Sequence, residues 1–337
     1  MRSFIHHSNI SKIIIHILTI LALIVAIGLS VSYGSTKIEF ATVWQAVFHF
    51  NPELTSHQVV QELRLPRAVS AAFVGAFLAV SGAIMQGMTR NPLASPSIMG
   101  VTDGAAFALV LMLAFAPGIS NMGLIGSSFV GAGIAVALVF MIGSFSASGL
   151  TPVKLALAGV AIGTMLRSVS SIISLHFNLE KEMGFWLAGG LDGTSWTSVQ
   201  ILLISGGVGL LLALSISKSI TLLSLGEDIA TGLGQNNFLI KILGIVAILI
   251  LTGAAVSIAG AVGFVGLIVP HITRFIIGTD YRWIIPTSVL FGALLLVLSD
   301  VVSRLVNAPF ETPVGAITSL IGVPFFLYLA RGSGGGK

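Results

Sequence analysis

Cysteine is absent from this chain, which excludes disulfides, thiol chemistry and thiolate metal sites. Charge is scarce as well. Asp, Glu, Lys and Arg make up 8% of the residues, where a soluble domain carries about 25%. No GxxxxGK[ST] stretch occurs, so the chain carries no P-loop nucleotide site of its own. The seven histidines form no HExxH and no His/Cys cluster, and His6 and His7 read as solvated terminal residues. Mid-span carboxylates are also missing: Asp103 and Asp300 fall near the ends of apolar runs, which counts against a proton relay. An intramembrane enzyme is disfavoured for want of a nucleophile–base pair or a metal cluster.

What is there is apolar. Hydrophobic residues make up 55% of 337, so most of the mass belongs in a bilayer and the fold class is an all-α integral membrane protein. A net charge of +4 therefore does not argue for nucleic acid. A span needs about 20 mostly apolar residues. Ten stretches qualify: 12–33, 68–88, 98–116, 123–145, 155–177, 199–216, 238–258, 262–276, 284–303 and 313–330, the eighth being short. The first run is too long for a secretory signal and lacks a cleavage site, so it reads as a span. The whole chain, 1–337, is one transmembrane domain with a polar loop at 217–237.

Ten spans put both termini on one side. With the N-terminus inside, the inner face carries Arg2, Lys12, Arg90, Lys154, Lys218, Lys241, Arg274, Arg282, Arg331 and Lys337. The outer face carries Lys37, Arg64, Arg67, Lys181 and Arg304. The surplus predicts cytoplasmic termini and a cytoplasmic 217–237 loop. Within that loop, Glu227 and Asp228 suit the first turn of a short helix, and Leu225, Ile229 and Leu233 repeat on one face. Such a helix either lies in the groove of a soluble partner or rests at the lipid interface.

Small residues recur inside spans at four-residue spacing, as at Gly75 and Ala79 or Gly159 and Gly163, which lets membrane helices approach closely. Arg64, Arg67 and Arg304 sit at outer span ends. They either meet a partner's carboxylates or snorkel and pair locally with Asp300. RNPLASP, 90–96, cannot form a continuous helix because of Pro92 and Pro96. GAVGFVGLIVPHITR, 260–274, has three glycines in seven residues and then Pro270. Its non-helical backbone should face the bundle interior. Arg167 falls mid-span among Thr164, Ser168, Ser170 and Ser171, either on a pathway for anionic cargo or at a packing or subunit interface. Residues Gly75, Gly82, Pro92 and Gly100 recur as Gly253, Gly260, Pro270 and Gly278, a 178-residue spacing that hints only weakly at a repeat.

Taken in order, RLPR, NPLA, LGED..A..LG, GFVGLIVPHITR and the D…R pair before the last span resemble the FecCD-type permeases, the membrane subunits of ABC importers for iron-siderophores, haem and cobalamin. The resemblance runs from about residue 12 to the C-terminus. It implies a multi-pass protein of the bacterial cell membrane with about ten transmembrane helices. Two permeases, a second copy or a related chain, would pair over two cytoplasmic ATPase subunits and beneath an extracytoplasmic binding protein. ATP and Mg would be bound by the ATPase, leaving this chain without cofactor, resident metal or catalytic residue. By similarity, Arg64, Arg67 and Arg304 would meet glutamates on the binding protein. Leu225, Gly226, Glu227, Asp228, Ala230, Leu233 and Gly234 would couple to the ATPase. Asn91 and Leu93 would lie near the inner gate, and Arg167 matches no motif of the family. The expected cargo is a ferric-siderophore, with haem or cobalamin as alternatives. A gradient-driven secondary transporter is the rival of another class, and a structural or sensory subunit a third.

Overall fold

The computed structural model describes residues 9–34, 38–144, 152–308 and 310–333. Arg2, His6, His7, Lys37 and Lys337 lie outside the described residues. Fifteen α-helices follow in chain order: α1 Asn9–Ser32, α2 Phe40–Phe48, α3 Thr55–Gln58, α4 Leu65–Thr89, α5 Val101–Phe115, α6 Asn121–Ser144, α7 Pro152–His176, α8 Glu180–Ala188, α9 Trp196–Ser215, α10 Ser217–Leu225, α11 Glu227–Gly232, α12 Asn237–Ala259, α13 Val265–Ile277, α14 Tyr281–Leu305 and α15 Val314–Ser333. A π-helical turn, Val59–Arg64, joins α3 to α4, and a 3₁₀ turn, Pro96–Met99, precedes α5. No strand occurs among the described residues.

A helix occupies each of the ten apolar stretches, and seven are long and apolar enough to cross a bilayer. The shorter apolar ones are α5, α13 and α15. At 1.5 Å per residue, α5 and α13 reach only about 20 Å, short of a bilayer core of about 30 Å. The remaining backbone is irregular. It runs over 91–100 before α5, ending on Gly100 at φ 73°, and over 260–264 before α13.

The bundle is built around α4, which with its preceding turns has 83% of its most apolar window buried. Lipid gives no hydrophobic drive for association, so close backbone contact and dispersion must hold such a helix. Glycine supplies the contact. A Cβ on Gly75 would fall 2.1 Å from the Gly292 carbonyl oxygen of α14, and one on Gly82 would fall 1.8 Å from that of Gly266 in α13. Ala79 packs over Gly292, Gly159 abuts the backbone of Ile98, and Gly163 abuts Asp103. Of the small-residue pairs expected from sequence, Gly75 and Ala79 thus mark a helix crossing, and Gly159 and Gly163 receive the 3₁₀ turn and the start of α5. At the 178-residue spacing the match is partial: Gly75 and Gly253 lie inside α4 and α12, and Gly100 and Gly278 both have positive φ, but Gly82 lies inside α4 whereas Gly260 lies beyond the end of α12.

The periphery is apolar outward. On α1, Ile10, Leu18, Ile24 and Val25 are exposed, and on α9, Ile204 and Leu211. The short helix α2 presents Phe40, Trp44 and Phe48, the pattern of an amphipathic helix at a membrane surface. Contacts fix the two ends of the bundle. Ser30, Arg67, Asp300 and Arg304 gather at one end, and Lys12, Gly87, Thr221 and Tyr281 at the other.

Candidate functional site

At the first end, a π-helical turn ahead of α4 carries Arg64 into the protein. Its Nη1 donates to the carbonyls of Val31 (2.7 Å) and Ser32 (2.9 Å). Arg304 Nη1 donates to the carbonyls of Ser30 (3.0 Å) and Tyr33 (2.9 Å), and its Nη2 donates to Ser30 Oγ (2.7 Å). The last carbonyls of α1 have no intrahelical donors and carry the negative end of its dipole, so two guanidiniums satisfy both needs. Arg64 and Arg304 are accordingly buried, and the expectation of three outward arginines is corrected for these two. Asp300, wholly buried, pairs with Arg304 (2.8 Å) and Arg67 (2.9 Å), so local pairing is present at this end. Arg67 also reaches Asp192 (3.0 Å) and Glu311 (2.7 Å) at the mouth of a cavity of about 630 Å³. Burial, then the hydrogen bond with Glu311, pushes the Asp192 carboxyl up to about 6, while that hydrogen bond holds Glu311 below its usual value.

At the opposite end, α10 and α11 form an elbow. Gly226 sits at φ 141°, ψ 144°, which ends α10 at Leu225 and limits α11 to six residues. The continuous helical face expected for Leu225, Ile229 and Leu233 is therefore corrected: they span two helices and a turn. All three are nonetheless exposed, beside exposed Phe238 and Asp228. Ala230 is buried beneath them, Glu227 pairs with Lys241 (2.8 Å), and Gly234 closes the turn at φ 80°. The elbow is tied into the bundle. Ile220 and Tyr281 close over Gly87 of α4, Thr221 Oγ1 accepts from the Tyr281 amide (2.9 Å), and Arg90 approaches Gly226.

Between the two ends lies a cavity of about 600 Å³. Ser95–Ile98 forms one wall and Ala261–Phe264 another, so both stretches of irregular backbone face one space. That agrees with the rule that non-helical backbone at membrane depth lines a hydrated cavity or is buried by protein. Asn91 and Leu93 are not in the lining. They make the turn before it, where the Leu93 amide donates to Asn91 Oδ1 (2.9 Å). Arg167 is in the lining, with Asp103. Its Nε and Nη2 donate to Asp103 Oδ1 at 3.0 and 2.8 Å. This corrects the reading that no carboxylate reaches mid-span: Asp103 opens the short α5, so it stands against the middle of α7. Sequence could have signalled this through Pro96 and Gly100, which delay the start of that helix. Beneath the cavity, Gln86 bonds Arg274 and donates to the Gly266 carbonyl (3.3 Å), a link that no motif announced.

A profile for the FecCD transport family matches residues 21–332. The iron(3+)-hydroxamate import system permease protein FhuB of Bacillus subtilis (strain 168) is 60% identical over 303 residues, 90% of this chain and 79% of that protein. The iron-uptake system permease protein FeuB of the same strain is 43% identical over 93% of this chain and 94% of that one. Among solved structures, an inward-facing metal-chelate type ABC transporter superposes with a TM-score of 0.83 at 32% identity, covering 94% of this chain and 98% of that chain.

Proposed function

The chain belongs to the FecCD transport family, and from that membership we propose that it is the permease subunit of an ATP-driven ABC importer that carries a ferric hydroxamate siderophore across a bacterial cell membrane. The observation that carries the transport reading is the central cavity, walled by a 3₁₀ turn and an irregular stretch and holding an ion pair at membrane depth. The cargo reading rests on the 60% identity to an iron(3+)-hydroxamate permease.

In this reading a loaded binding protein docks at the end that carries Arg67, whose partners Asp192 and Glu311 stand at the surface of that end. The exposed Leu225, Ile229 and Leu233 dock in an ATPase cleft on the cytoplasmic side. ATP binding draws the two ATPase subunits together, and the elbow pulls on α4 through Gly87 and on the 91–98 stretch through Arg90. The cavity then opens to one side or the other. The permease makes and breaks no bond in its cargo, so its two states must differ in affinity for ATPase and binding protein. The test is uptake of radiolabelled iron on a panel of siderophores, in cells lacking this gene and in complemented cells. Loss of hydroxamate uptake, restored by the gene, is the expected result. Loss confined to haem or cobalamin would replace the cargo.

A further inference from the structure

The ion pair in the central cavity is unequal. Asp103 is fixed: its side chain is 13% exposed, Oδ1 takes both bonds from Arg167, and Oδ2 occupies the space that Gly163 leaves open, where a Cβ would lie 2.4 Å away. Arg167 is the reverse. Its side chain is 67% exposed, and its Nη1 makes no hydrogen bond to any described residue. Thr164, Ser168 and Ser171 continue the same exposed face of α7, with Ser168 and Ser171 turned back onto carbonyls of their own helix. A guanidinium this open is costly against lipid, so it faces water, cargo or a paired permease. Among the described residues that line the cavity, Asp103 and Arg167 are the only charged ones.

We propose that the Asp103–Arg167 pair sets the charge selectivity of the route: it holds the cavity at zero net charge while offering one free guanidinium edge to oxygen acceptors. This rests on the siderophore reading above. A ferric ion held by three hydroxamates has no net charge and presents carbonyl-type oxygens, so it suits such a cavity. Removing either partner leaves one unit charge within several ångströms of the cargo. At an effective dielectric of about 20 and a separation of about 6 Å, that shifts preference roughly a hundredfold for each unit of cargo charge.

The experiment uses the whole importer, with its ATPase and binding protein, in proteoliposomes. Three chelates share one trihydroxamate scaffold: the neutral complex, one with a pendant ammonium and one with a pendant carboxylate. Each is supplied with the binding protein saturated, so that delivery is equal. The native complex should favour the neutral chelate. Asp103→Asn should raise the carboxylate-to-neutral uptake ratio roughly a hundredfold, and Arg167→Gln the ammonium-to-neutral ratio by a similar factor. A merely structural role would slow all three chelates together and leave both ratios unchanged, which would overturn the inference. If the single variants do not assemble, Asp103→Asn with Arg167→Gln restores neutrality and should keep the native ratios; altered ratios there would also overturn it. A native complex that carries none of the three removes the hydroxamate reading and this inference with it. Native transport with charge-blind variants removes the inference alone.

Discussion

Asp300 has no exposed surface and holds two guanidiniums, one of which caps α1. Replacing it with Ala strands Arg304 as a buried cation, which costs roughly 3–5 kcal/mol. The purified Asp300→Ala protein should therefore melt well below the native one in a thermal shift assay, and an unchanged melting temperature would refute the pairing. A second consequence follows at Asp192. Its carboxyl titrates at about 6, faces Arg67 and Glu311, and shares the cavity mouth with Arg64 and Arg304. Below that pH it gains a proton and one negative charge leaves the neighbourhood of Arg67. Ordinary Glu residues of a partner, with pKa values of about 4.3, stay ionised down to pH 5.5. Binding-protein affinity should therefore rise several-fold from pH 7.5 to 5.5. Asp192→Asn should bind tightly throughout, with a flat profile, when binding is followed by interferometry. The three arginines were legible in the sequence as span-end cations. The bonds of Arg64 and Arg304 to α1 were not, because carbonyls some 30 to 270 residues away leave no local pattern.

At the scale of elements, the ten apolar stretches could be read directly as helices from their length and composition, although only seven of those helices are long enough to span. The breaks were legible too, through Pro92, Pro96 and the glycines from Gly260 onward. What could not be read was how far each break shortens its helix, and hence that Asp103 stands opposite Arg167. The elbow is a similar case. The sequence placed Leu225, Ile229 and Leu233 on a helical repeat, but Gly226 takes an extended conformation at positive φ, open to glycine at little steric cost. The three side chains still leave the membrane bundle together. Ile229→Glu should lower co-purification of the ATPase at least tenfold without harming insertion, since Ile229 is 52% exposed. Glu227→Lys is a weaker test of contact, because Glu227 also binds Lys241 within the chain. Native amounts of ATPase on the Ile229→Glu permease would exclude the elbow as the coupling surface. Gly82→Val, by contrast, should abolish folded protein altogether, as its side chain would enter the Gly266 backbone.

At the scale of the molecule, the two ends differ in what they offer. One gathers cations and carboxylates around a cavity mouth, and the other exposes apolar side chains on an elbow joined to the central helix. A gradient-driven carrier needs a titrating or ion-binding group on the route, whereas the only charges lining the cavity, among the described residues, already neutralise each other. In the importer reading the energy arrives from outside the bundle, and the elbow is the place where a nucleotide-driven motion would enter. Cells depleted of ATP with their membrane gradient held should stop importing the ferric chelate. Cells treated with an ionophore at constant ATP should continue at near the native rate. Iron-55 accumulation measures both. Import that collapses with the gradient while ATP is unchanged would transfer the chain's energetics to an ion-coupled mechanism, and the Asp103–Arg167 pair would then be the first place to look for the coupled proton.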